Sequence, residues 1–286
     1  MIGADDIKSS DTESPAPADR PLEVTMLLTT SAFFAIVQMM GPLASGHVNP
    51  TATPPIVVAQ ATTKVTAQPV AASTDAKLTG VVDAIQKTYE GTRNFTGAFT
   101  QKFTYTMLRR TQESTGRVTF EKPGRMRWDY TKPTGKSFIV DQKALWIVQP
   151  EDKVAFVNAC FKQDGLTASV AFLWGEGKLR EQFNISWFDG VFGAPTDHHL
   201  LLLPKDANSV FARLILVVDP TSNRVKQSVV VDPAGNVNQF IFSDLAFNVG
   251  KAEGINPATF TYTPKPGINA QRIPGSCDAP VQGLNP

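Results

Sequence analysis

Only two cysteines, Cys160 and Cys277, and three histidines occur in 286 residues. So few thiolate and imidazole ligands give no zinc framework, since His198-His199 has neither an HExxH helix nor a cysteine at metal spacing, and His47 stands far from both. A histidine pair at the start of a strand is read as structural. Also missing are a GxSxG elbow, a P-loop and a GxGxxG turn, while Asp and Glu are scattered, so no catalytic constellation, metal or cofactor is expected. An excess of one charge is lacking as well: 27 Lys and Arg stand against 26 Asp and Glu. Without a basic groove, nucleic acid is not an expected partner.

The N-terminal quarter lacks the marks of a packed domain. Residues 1–23 are acidic, with proline and serine between Asp5, Asp6, Asp11, Glu13, Asp19 and Glu23, a composition of disorder. No charged residue occurs from Val24 to Gly46, whose apolar centre includes Met26-Leu27-Leu28 and Phe33-Phe34-Ala35-Ile36-Val37. This stretch reads as the h-region of a secretory signal, cleaved after Ala44-Ser45-Gly46 or near Ala59-Gln60-Ala61, or as an uncleaved membrane anchor, or as a buried core helix. The preceding segment is acidic where a signal is usually basic. No cysteine follows the apolar run, so a lipid-modified N-terminus is not expected. Residues 47–74, rich in Pro, Thr, Ala and Val, read as a linker.

Period and capping change at Ser73-Thr74-Asp75. The spacing of Leu78, Val81, Val82, Ile85 and Tyr89 predicts an amphipathic helix from about Ala76 to Tyr89, ended by Gly91. From Phe95 to Met107 the large apolar side chains share one parity and Thr and Lys the other, the pattern of a strand with one wet face. After the Pro123-Gly124 turn, Met126, Trp128 and Tyr130 alternate with Arg125, Arg127 and Asp129. Further strand signals follow at 116–121, 137–141, 144–148, 153–160, 183–188, 199–203, 211–218, 224–232, 237–245 and 259–263, with Arg109 to Ser114 read as a polar connection. The turns at Asp219 to Asn223 and Asp232 to Asn236 have clear chemistry. The expectation is one mainly antiparallel domain over 75–270, with about eleven strands, and a tail over 271–286.

The ordered set of these features resembles the outer-membrane lipoprotein carrier (LolA) family over about Ala76 to Ile268. It comprises the helix, Phe95 with Phe99 and Gln101, Gly116, Lys122-Pro123-Gly124-Arg125-Met126-Arg127-Trp128, Leu145-Trp146, Phe172-Leu173-Trp174-Gly175, and Phe260-Thr261-Tyr262-Thr263-Pro264 with Gly267. The resemblance implies an incomplete antiparallel barrel closed by a helical lid, with acyl chains of a lipoprotein held in the apolar cavity between them. It further implies a periplasmic monomer that takes acylated lipoproteins from an inner-membrane ABC-type transporter and delivers them to an outer-membrane acceptor without a cofactor. A sensing or regulatory module on the same half-barrel is the alternative.

On this reading Phe99, Phe103, Met126, Trp128, Tyr130, Phe138 and Trp146 line the cavity, and Val170, Phe172, Leu173 and Trp174 form the lid. From parity alone the same aromatics equally describe plain core. Lys122 stands where the family usually has an arginine that helps hold the lid closed, so it is either a surface lysine or a lid contact. The family's Asp-Gly turn is replaced by Asp141-Gln142, which implies a different turn here. In an exported chain Cys160 and Cys277 could form one disulfide tying the C-terminal tail to the strand before the lid.

Overall fold

The computed structural model describes residues 75–161, 178–190, 192–207, 209–250, 255–274, 276–281 and 284. Helix α1 (Ala76–Glu90) begins where Asp75 accepts a hydrogen bond from the Lys77 amide at 2.9 Å. It buries Val82, Ile85 and Tyr89, a stripe at helical spacing. Gly91 closes it with a right-handed backbone (φ −77°), its amide donating to Lys87 O.

Twelve strands follow among the described residues: β1 (Asn94–Tyr105), β2 (Arg110–Glu121), β3 (Arg125–Lys132), β4 (Lys136–Asp141), β5 (Leu145–Gln149), β6 (Val154–Asn158), β7 (Phe183–Trp187), β8 (His198–Pro204), β9 (Arg213–Val218), β10 (Val225–Val231), β11 (Val237–Phe247) and β12 (Asn269–Arg272). A short helix, α2 (Leu179–Gln182), precedes β7. All belong to one sheet, in the order β12-β6-β5-β4-β3-β2-β1-β11-β10-β9-β8-β7. Neighbouring strands are antiparallel except β12 and β6, which are parallel. The long-range pairing of β1 with β11 joins two meanders, and β7 and β12 are left as edges, so the mainly β architecture is an open half-barrel.

Register sorts the side chains by face. Phe95, Phe120, Met126, Val140 and Leu145 lie in one cross-strand row, and Phe103, Asn238, Val230, Leu214 and Leu202 in another. This inner face carries two apolar clusters that meet at Phe242 and Phe247; α1 packs on the β8 to β10 half through Val82, Ile85 and Tyr89. The opposite face of β4 to β6 carries a third, where Ile139, Trp146 and Val157 are covered by Tyr262, Ile268, Val281 and Leu284 from the C-terminal segment.

Four local expectations are corrected. Arg110 to Ser114 is strand, its polar side chains running along a hairpin whose ladder carries on to Tyr105 and Arg110. Residues 259–263 are not a strand: Asn256 caps a 3-10 turn over Pro257–Phe260, with Pro257 at its start, and the chain then runs on without a ladder. Gln142, expected to force a different turn, adopts the left-handed backbone (φ 85°) itself; Asp141 Oδ1 accepts from the Lys143 and Ala144 amides, and Gln142 Nε2 donates to Pro123 O. The boundary expected at residue 270 falls inside β12.

Candidate functional site

Phe99 is the centre of the inner face. Trp128, Tyr130 and Phe240 stand edge-on to its ring at centroid distances of 5.0, 4.9 and 5.9 Å, a geometry that favours the aromatic quadrupoles. Gly116 makes this possible: a Cβ there would lie 2.7 Å from Phe99 Cζ and 2.1 Å from Asp129 O, at the place where the β2–β3 register shifts. Phe138 reaches Tyr130 at 5.9 Å.

Of the seven residues expected to line a cavity, Phe99, Met126, Trp128, Tyr130 and Phe138 fall together in the inner cluster. Phe103 is on the same face farther along β1, beside Tyr105 and beyond the buried Gln101. Trp146 is a correction. It pairs across the ladder with Ile139 while Phe138 pairs with Ile147, so it points to the outer face, where its ring lies 5.0 Å from that of Tyr262. The inner aromatics are closed over, with Phe99 2% and Trp128 8% exposed. A surface cleft beside the end of α1, lined by Lys87, Arg224 and Asn248, and another beside His198 and Trp187 lie outside this cluster. Val170, Phe172, Leu173 and Trp174, the expected lid, lie outside the described residues.

The inner face changes character along its strands. Beyond the Phe99 row come Gln101, Ser114 and Asn238, all buried, with Gln101 Nε2 donating to Asn238 Oδ1 at 2.8 Å. At the same end Lys136, opposite Tyr130 in the ladder, places its ammonium 4.7 Å from the Tyr130 ring centroid. Burial draws its pKa down to about 8, and burial raises the Tyr130 phenol well above its ordinary range.

Lys122 Nζ donates to Tyr89 O at 2.7 Å and to Glu90 O at 3.0 Å, so the lysine meets the last carbonyls of α1. A cation there satisfies orphan acceptors and complements the helix dipole. Lys122→Met is expected to cost about 1–2 kcal/mol, read as a lower urea midpoint at unchanged slope. An unchanged midpoint would show that water replaces the ammonium without loss.

His198 and His199 have local partners: His199 Nε2 meets Phe192 O, and His198 packs on Trp187 at 5.7 Å. Among the described residues no cluster of three metal-ligating side chains occurs. Cys160 and Cys277 are joined in a disulfide, with Cα atoms 5.7 Å apart.

An open antiparallel half-barrel with an aromatic inner wall, half covered by one amphipathic helix, is the class that fold and site define. The family model for the outer membrane lipoprotein carrier protein LolA matches residues 90–263, and the chain belongs to that family. Among curated relatives, the outer-membrane lipoprotein carrier protein of Dechloromonas aromatica is 25% identical over 199 residues, covering 66% of this chain and 86% of the relative. The protein of the same description from Xanthomonas campestris is 29% identical over 184 residues, covering 63% and 82%. Among solved structures, an uncharacterized conserved protein from Thermus thermophilus superposes with a TM-score of 0.44 at 13% identity, covering 69% of this chain and 99% of the other. A LolA superfamily protein from Nitrosomonas europaea gives 0.35 at 11%, covering 65% and 97%.

Proposed function

We propose that the chain is an exported carrier that seats the acyl chains of lipoproteins against its inner face and moves them from the inner to the outer membrane. The observation that carries this reading is the contiguous aromatic wall around Phe99 on the inner side of a sheet with two open edges. A di- or triacyl anchor exposes tens of methylenes, and at about 0.8 kcal/mol for each buried CH₂ it does not leave a membrane for water unaided. A deep apolar surface removes that cost. Because the wall is closed, loading requires that an apolar cover exchange places with the acyl chains, a swap of like for like with a small net free energy. Release from the inner membrane is assigned to an ATP-driven transporter and delivery to an outer-membrane acceptor, with affinities rising along the route. The Cys160–Cys277 bond suits an oxidising compartment such as the periplasm. Among the described residues no helix is long and apolar enough to cross a membrane.

The full chain, mixed with a triacylated lipoprotein as detergent is withdrawn, is expected to hold it in a soluble one-to-one complex. With Trp174 and Trp187 replaced by Phe, acyl chains brominated near their ends are expected to quench Trp128 and to spare Trp146, compared by adding Trp128→Phe or Trp146→Phe. A folded chain that leaves the lipoprotein aggregated would sink the carrier reading and favour a regulatory role on the same fold.

A further inference from the structure

We propose that the polar end of the inner face is a head-group subsite, which hydrogen-bonds the ester and amide groups through which acyl chains join their carrier molecule. The inference rests on the carrier reading and adds to it a selectivity for acyl chains attached through carbonyl chemistry over bare hydrocarbon.

Three polar atoms at this end, Tyr130 Oη, Gln101 Oε1 and Gln112 Oε1, are buried with no hydrogen-bond partner among the described residues. Tyr130 and Gln101 are 3% and 1% exposed. Buried polar atoms are nearly always paired, so three orphans on one patch of one wall require an explanation. Register places them together. Tyr130 pairs with Gly116, which pairs with Phe99; two residues along β1 and β2, Gln101 pairs with Ser114, and two further, Phe103 pairs with Gln112. All lie on the inner face, Tyr130 at the rim of the aromatic cluster and Gln101 and Gln112 in the rows beyond it.

Their chemistry is complementary to one kind of group. A phenol hydroxyl donates to an ester or amide carbonyl, and the two glutamine oxygens accept from amide N–H groups. Gln101 is held in place by its donation to Asn238 Oδ1. Lys136, above the Tyr130 ring, adds a cation at the same end. An aromatic wall for hydrocarbon with a polar rim for carbonyls and amides matches the two ends of an acylated head group. A bare alkane would leave the rim as unpaired as it is now.

The test uses the full chain and two probes: a tripalmitoyl-cysteinyl peptide and diphenylhexatriene, a hydrocarbon with no hydrogen-bonding atom. Tyr130→Phe removes only the hydroxyl. It is expected to weaken the lipopeptide about five- to tenfold, the equivalent of one buried hydrogen bond, and to leave diphenylhexatriene unchanged. Its thermal midpoint is expected to stay level or rise, because an unpaired buried hydroxyl has been removed. Gln112→Leu is expected to show the same probe selectivity. Equal loss for both probes, or none for the lipopeptide in either variant, would overturn the subsite while leaving the carrier reading intact. If the unmodified chain binds neither probe, both readings fall.

Discussion

Replacing Gly116 by alanine is expected to cost about 3 kcal/mol or more of folding stability, the upper range for forcing atoms into a filled core. The new Cβ would stand 2.1 Å from Asp129 O and 2.7 and 2.9 Å from two atoms of the Phe99 ring. The first obstacle is backbone, fixed in the β2–β3 ladder; the second is the ring around which Trp128, Tyr130 and Phe240 are arranged. Neither neighbour can yield cheaply. A glycine of the same chain supplies the control: at Gly80, exposed in the interior of α1, a Cβ meets nothing within 4 Å. Gly80→Ala is expected to stabilise by about 0.5–1 kcal/mol through helix propensity alone. Urea denaturation of both variants checks the pair. A Gly116→Ala loss under 1 kcal/mol would mean that β2 and β3 can separate at this point, and the rigid aromatic wall would have to be given up.

The parts of the site that sequence made legible are those where one face of a strand is wet. In β1, Lys102, Thr100 and Thr104 mark the outer side, so Phe95, Phe99 and Phe103 are assigned to the inner face by parity alone. Likewise Arg125, Arg127 and Asp129 set the side of Met126, Trp128 and Tyr130. β5 offers no such contrast. Leu145, Trp146, Ile147 and Val148 are all buried, because C-terminal residues cover the outer face, and a continuous apolar run carries no parity. The resemblance alone places Trp146 inward, and the pairing with Ile139 corrects it.

β12 escaped for the opposite reason. Asn269, Ala270, Gln271 and Arg272 have no strand signature, and the segment is ordered by a parallel ladder to β6 that no local pattern announces. The polar end of the inner face was half visible: Gln101 stands out in an aromatic row, whereas Gln112 and Asn238 join it only through the β1–β2 and β1–β11 registers. Contacts that depend on long-range pairing lie beyond period and propensity. In this fold they define both the rim of the site and the cover of its outer face.

Loss of the disulfide should show how much that cover contributes. Cys160 follows β6 and Cys277 follows β12, and the bond closes a loop of 117 residues. Loop-closure entropy would favour the bonded chain by nearly 5 kcal/mol for a loop of this order, of which native proteins commonly realise about 2–4. Cys160→Ser with Cys277→Ser is therefore expected to lower unfolding free energy by about 3 kcal/mol. The loss should begin locally. β12 pairs with β6 through four residues, and Arg272 steadies the turn beyond it by donating to Cys277 O and Ala279 O. Without the bond the C-terminal cover is held on the sheet by this short ladder, by Arg127 Nη1 donating to Thr259 O, and by apolar contacts that include Tyr262, Ile268, Val281 and Leu284. With Trp128, Trp174 and Trp187 replaced by Phe, emission from Trp146, the one tryptophan left, is expected to shift to the red at a lower urea concentration than the main transition, as water reaches the ring that Tyr262 covers. Coincident transitions would instead make cover and sheet one cooperative unit. An unchanged midpoint would show that ladder and apolar contacts hold the cover by themselves, with the disulfide adding nothing to the folded state's advantage.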